Sequence, residues 1–265
     1  MKDVTRLLLF GAAFLLSFSV AKAQISCCPR PALIIPQIVD GGDWLTTIVL
    51  TNTSASQTVA SLNFLQETGG GNVSSWPLSF VEMVSAQTQE VAIPAGRTVF
   101  LHTLGTAAAT TIGWAQLLEM DASSPVAAYA IYTQRVPGRS DQDGTAPAAA
   151  AATRILVPFD NTGGAVTSMA ICNCGPTSTT SISVGIRTAA ATTQVTAIAL
   201  PPNGHTSFTF PTQFPATAEQ SGLAEFYATS GSFSIIALKF NSGAFTTVPV
   251  YSFMTGSPII VASAP

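Results

Sequence analysis

Charge is what this sequence has least of. Asp, Glu, Lys and Arg make up 9% of the 265 residues, against about 25% in an ordinary soluble domain. The ten Lys and Arg are scattered, so no basic face exists to neutralise phosphates, and nucleic-acid binding is excluded as a primary role. Histidine occurs only as His102 and His205. G-x-S-x-G, H-E-x-x-H, Walker A and dinucleotide fingerprints are all missing, so the familiar hydrolase, metalloprotease and nucleotide-binding routes have no sequence support. Amphipathic helical periodicity is absent beyond the N-terminal leader. With 47% hydrophobic residues and a net charge of −3 the chain is nonetheless built to fold. Thr, Ser, Ala and Gly take the place of charge on its surface.

The N-terminus reads as an export signal. Lys2 and Arg6 precede the apolar run Leu7 to Val20, and Ala21-Lys22-Ala23 supplies an A-x-A cleavage site, so the mature chain is expected to begin at Gln24. At about 14 residues the run falls short of the ~20 that span a bilayer, and no membrane span is expected after cleavage. Lipidation of Cys27 is a weaker variant, because Gln-Ile-Ser before it lacks the usual leucine.

The mature chain contains itself twice. IIPQIVDGGDWLTTIVLTN (34–52) returns as LVPFDNTGGAVTSMAICN (156–173), IPAGRT (93–98) as LPPNGHT (200–206), and GWAQLLEMDASSPVAAYAIY (113–132) as GLAEFYATSGSFSIIALKF (222–240). Three blocks in one order, offset by roughly 110–120 residues, indicate two copies of one domain. Period-2 alternation marks strands at Leu62/Phe64, Ile182/Val184/Ile186 and Phe208/Phe210, punctuated by Gly, Pro, Asn and Asp turns. Val126 to Tyr132 and Phe233 to Phe240 are near-continuous apolar runs, as expected of strands buried on both sides. The fold class is all-β: two tandem immunoglobulin-like β-sandwiches. The expected division is a signal peptide (1–23), a leader with Cys27 and Cys28 (24–33), copy one (34–136), a linker or long loop (137–153), copy two (154–253) and a tail (254–265) whose Ile259 to Val261 adds an edge strand or stays loose.

The blocks PQIVDGGDWLTTIVLTN, TQRVPGRSDQDGTAP, LVPFDNTGG and FNSGAFTTVPV resemble those of uncharacterised exported bacterial proteins with tandem immunoglobulin-like β-sandwich repeats. The resemblance covers nearly the whole mature chain. It implies an extracytoplasmic all-β domain pair, and it carries no catalytic, cofactor or metal residues to transfer.

Individual residues narrow the reading further. Both histidines are expected to be strand residues, with His205 aligned to Arg97. Glu67, Glu82, Glu90, Glu119, Glu219 and Glu225 could supply a glycosidase-type pair only if folding assembled two of them. Asp40/Asp43 and Asp141/Asp143 have spacings that calcium sites use, but turn geometry explains Asp before Gly-Gly without a metal. Trp44 aligns with Val166 and Trp114 with Leu223, an apolar exchange that fits core filling. Trp76, in Ser75-Trp76-Pro77, has no counterpart and is the candidate exposed ligand contact. Cys27, Cys28, Cys172 and Cys174 are disulfide candidates, since export implies an oxidising compartment. The latter two replace Thr51 and Thr53 of copy one. Cross-pairing of 27/28 with 172/174 is favoured and would place the domains side by side. The function expected is that of an exported structural, adhesive or ligand-presenting protein of the cell surface or extracellular space, not an enzyme and without cofactors. Its partners would be a surface protein, a polysaccharide or a second copy. The alternatives are a carbohydrate-binding module and, third, a hydrolase.

Overall fold

A computed structural model describes residues 31–119 and 126–260. The expected signal peptide (1–23), Cys27, Cys28 and Val261 lie outside the described residues. Among the described residues no helix is long and apolar enough to cross a membrane.

The first half consists of β1 (Pro31–Asp40), β2 (Trp44–Asn52), β3 (Thr58–Gly69), β4 (Asn72–Ser75), β5 (Thr88–Ile93), β6 (Thr98–His102), β7 (Thr111–Glu119), β8 (Val126–Gln134) and β9 (Gln142–Pro147). The second consists of β10 (Arg154–Asp160), β11 (Val166–Asn173), β12 (Thr180–Thr188), β13 (Thr192–Leu200), β14 (His205–Thr209), the single turn α1 (Phe210–Gln213), β15 (Ser221–Tyr227), β16 (Phe233–Asn241), β17 (Ala244–Val248) and β18 (Tyr251–Phe253). In the first half the sheets run β1-β7-β3, with β4 and β5 both on β3, and β6-β2-β8-β9. In the second they run β10-β15-β12-β13 and β14-β11-β16-β17, with β18 added outside β10. The pairing order is therefore the same in both halves, and every pair is antiparallel.

Each half is a β-sandwich with a core between its two sheets. Ile48, Leu50, Leu62, Phe64, Leu117 and Tyr132 fill the first. Val157, Met169, Ile171, Val184, Phe226 and Phe233 fill the second. Pairing of β2 with β6 and of β3 with β7 gives the crossed connections of a Greek key. An immunoglobulin domain divides its strands ABED/CFG; here the first strand pairs instead with β7, and β8 pairs with β2.

Matching side-chain bonds confirm the register between the halves. Thr46 Oγ1 donates to Val39 O (2.8 Å) and accepts from Val39 N (3.0 Å); Thr167, 121 residues on, makes the same exchange with Asp160. Asn52, fully buried, donates from Nδ2 to the carbonyls of Ser56, Ile93 and Pro94. Asn173, also 121 residues on, does so to Ser178, Leu200 and Pro201. Each Asn ties the end of a core strand to two loops and satisfies carbonyls that would otherwise be buried unpaired. Gly113 and Gly222 also correspond: a Cβ on either would sit 2.0 or 2.1 Å from the carbonyl oxygen of Leu65 or Arg187. This register places Trp44 opposite Ala165, one position from the expected Val166, and keeps Thr51 opposite Cys172. It sets His205 opposite Thr98, not Arg97, because His205 pairs with Cys172 as Thr98 pairs with Thr51.

Several expectations change. Residues 137–153 are not loop throughout, since Gln142–Pro147 forms β9 against β8. The Phe208/Phe210 alternation ends at Thr209, where Pro211 directs the chain into α1. The apolar runs diverge: β16 is buried on both faces along its first half, as expected, whereas β8 alternates, with Ala127 and Tyr129 exposed. The edge strand on β10 is Tyr251–Phe253, which precedes the tail, while Ile259 and Ile260 of the tail form no strand and donate their backbone N–H groups to Glu225.

Candidate functional site: the junction between the sandwiches and an open sheet face

β16 is buried twice because the two halves pack together. The outer face of the β14-β11-β16-β17 sheet lies on the outer face of the β1-β7-β3 sheet. Strand alternation sends Met169 and Ile171 into the second core, while Ala170 and Ile236 join the first. Ile34, Leu65 and Trp114 meet Cys172 and Cys174 across the junction. Trp114 is completely buried and donates Nε1–H to Asn203 O at 2.9 Å, so it seals the junction instead of filling its own sandwich core. Trp44 reaches Phe245 with ring centroids 5.3 Å apart.

A bulge in β1 shapes one side of this junction. Ile35 pairs with Ala115 and Ile38 with Gly113, leaving Pro36 and Gln37 out of register. Their carbonyls find other donors: Pro36 O faces Nε2 of His205 at 3.1 Å, and Gln37 O accepts from the Tyr132 hydroxyl at 2.9 Å. His205 Nδ1 lies 2.8 Å from Glu67 Oε2. The proline carbonyl can only accept, so Nε2 is the donor in that contact, while Nδ1 faces the carboxylate. Full burial pushes the Tyr132 phenol above its ordinary pKa.

Beside the bulge the halves leave a cleft of about 320 Å³, lined by Gln37, Trp44, Tyr132, Met169, Phe208 and Ile236 among others, with no charged residue in its wall. Periodicity and motif spacing pointed to neither Gln37 nor the cleft. The available signal was Pro36 inside an apolar strand, since proline within a sheet marks an edge or a bulge.

A second feature is the outer face of the β6-β2-β8-β9 sheet. It is the counterpart of the face that the second sandwich buries at the junction. Here Phe100 is 46% and Tyr129 37% exposed. Both lie opposite Val49, which is 1% exposed between them. His102 stacks beside Phe100, and its Nδ1 lies 2.5 Å from Glu82, which also accepts from the His102 backbone N–H. Although partial burial raises the Glu82 pKa, these hydrogen bonds bring it below its usual value.

The remaining candidate residues sit elsewhere. Trp76 is 7% exposed and packed in the first core, its ring folded in beneath the Ser75-Trp76-Pro77 turn. This corrects the expectation of an exposed ligand contact. Cys172 and Cys174 are buried free thiols; no disulfide occurs among the described residues, and the expected cross-pairing involves Cys27 and Cys28 outside them. Burial, together with its neighbour Cys174, raises the Cys172 pKa well above the usual thiol value. Asp40 accepts from Gly105 N and Asp143 from the Thr133 hydroxyl. Among the described residues no three His, Cys, Asp or Glu side chains converge as a metal site. Glu67, Glu82 and Glu225 pair separately with His205, His102 and Arg154.

Comparison with protein-family models and with curated proteins finds no match to this chain.

Proposed function

We propose that this is an exported structural and adhesive protein that works by surface contact and pairs with a second copy of itself through the β6-β2-β8-β9 face. The observation that carries this reading is the unequal fate of two equivalent faces. In the second sandwich the face is buried against a neighbouring sandwich. In the first it carries Phe100 and Tyr129 into solvent around a buried Val49. An exposed cluster of Phe100 and Tyr129 around Val49, on a chain with so little charge, is suited to association.

Head-to-tail growth would require the outer face of the β10-β15-β12-β13 sheet as acceptor. The chain's own tail occupies part of that face: Glu225 holds the backbone N–H groups of Ile259 and Ile260 and the Arg154 side chain. A face-to-face pair related by a two-fold axis remains, and it closes without polymerising. Low surface charge and hydroxyl-rich loops fit contact with other envelope components as well. Export rests on the basic, apolar and A-x-A segments of the leader; a mature protein beginning at Gln24 supports it, and a product retaining Met1 counts against it.

Sedimentation equilibrium tests the association. Monomer should give way to dimer as concentration rises, and the Phe100→Ser/Tyr129→Ser double variant should remain monomeric. A wild-type protein that is monomeric at every concentration overturns the reading.

A further inference from the structure

We infer that the cleft between the sandwiches is a binding site for a small, uncharged, mainly apolar molecule that donates one hydrogen bond, from a hydroxyl or N–H group, to Gln37. The cleft's volume of about 320 Å³ lies at the small end of ligand sites, which run from ~300 to 1,000 Å³. Its wall is aromatic and aliphatic, and hydroxyls of Ser168, Ser207 and Thr209 are its minor polar part. No Asp, Glu, Lys, Arg or His contributes to it. A charged ligand would therefore lose its hydration without gaining a counter-charge.

The second observation is independent of shape. Gln37 Oε1 is the one buried side-chain polar atom among the described residues that has no hydrogen-bond partner. Leaving such a group unmatched forfeits the hydration it had in the unfolded chain. The bulge at Pro36 and Gln37 takes this residue out of the strand register and sets it in the wall of the cleft. Water in a cleft with so few polar partners is poorly held, so its displacement by an apolar ligand is favourable. The site requires both sandwiches, because Gln37, Trp44 and Tyr132 come from one and Ala170, Ile236 and Leu238 from the other.

N-phenyl-1-naphthylamine is a suitable probe, being uncharged, largely apolar and equipped with one N–H. Titration of the full mature chain should give saturable fluorescence enhancement with one site per chain. Ser207→Phe, which fills the cleft from β14, should abolish it. Phe100→Ser/Tyr129→Ser should leave it unchanged, which separates this site from the association face. 1-Phenoxynaphthalene, which replaces the N–H by an ether oxygen, should compete about five-fold more weakly than the amine on the wild type, the value of one modest hydrogen bond. The two should compete equally on Gln37→Leu. Absence of saturable binding, or binding undiminished in Ser207→Phe with its melting temperature preserved, overturns the site. Equal competition by the two compounds on the wild type overturns the role of Gln37.

Discussion

Glu67 of the first sandwich and His205 of the second meet with 2.8 Å between Oε2 and Nδ1, and the histidine is wholly buried. The opposite ring nitrogen faces the bulged carbonyl of Pro36. One imidazole thus spans the junction and satisfies acceptors on two strands of the other half. Removing it leaves a carboxylate and a carbonyl short of a donor in a largely closed interface, which is costlier than losing the contact alone. His205→Ala should destabilise the protein by about 2–3 kcal/mol. Because the lost bonds join the halves, calorimetry should show a single unfolding transition separating into two. A uniform shift of one unsplit transition would mean that the junction does not depend on this residue.

The Asn52 and Asn173 amides make equivalent demands within each sandwich. Each supplies three carbonyls at one end of its sandwich core and orders the following loop through its own oxygen. Asn52→Ala and Asn173→Ala should each cost about 2–3 kcal/mol in urea denaturation, with the wild-type denaturant slope retained. Asn→Asp at either site should be at least as damaging, since a carboxylate cannot donate to those carbonyls. Effects under 0.5 kcal/mol, the usual range for an inert surface position, would remove these residues from the set that holds the loops.

Asp160 has a pKa of about 2, lowered from 3.8 first by the Lys239 hydrogen bond and then by Thr162. A carboxyl depressed in the folded state adds stability above its unfolded pKa, and that contribution disappears as pH falls through the folded value. The relevant window is therefore pH 4 down to 2. Both side chains are about one-third exposed, so the effect is small and salt-sensitive. The melting temperature should fall less across this window in Asp160→Asn than in the wild type, and 1 M salt should narrow the difference. An unchanged pH slope in Asp160→Asn would contradict the assignment.

The strand alternation and the all-β sandwich class were legible in the sequence, because a half-buried strand writes its burial into every second residue. Ile182, Val184 and Ile186 point inward as their spacing required. The junction was less legible. An apolar run such as Val126 to Tyr132 does not record which of its faces will be covered, and only packing of the second half separates β16 from β8. Trp76 was misplaced for a related reason: with no counterpart in the second copy, nothing in the sequence marked its position as apolar, yet its ring is buried in the core. Thr98 and His205 hold the same place in their sheets, but one pairs with Thr51 within its sandwich and the other reaches across to Glu67. That difference belongs to the docking of the halves, which the local sequence of neither states.

The two described thiols report on that docking. Cys172 near the end of β11 and Cys174 just beyond it pack in the junction with Ile34, Leu65 and Trp114. Burial disfavours the Cys172 thiolate, and the thiolate is the species that reacts. In a Cys27→Ser/Cys28→Ser variant these become the only thiols of the chain. They should resist a thiol reagent in the native protein and both titrate after denaturation. Addition of His205→Ala should raise the native-state labelling rate at least ten-fold without loss of β-sheet circular dichroism, because opening the junction no longer requires breaking the Glu67 and Pro36 contacts. Rapid labelling before that substitution would show that the sandwiches separate freely in solution; labelling only with global unfolding, in both backgrounds, would show that the two halves behave as one cooperative unit even without His205.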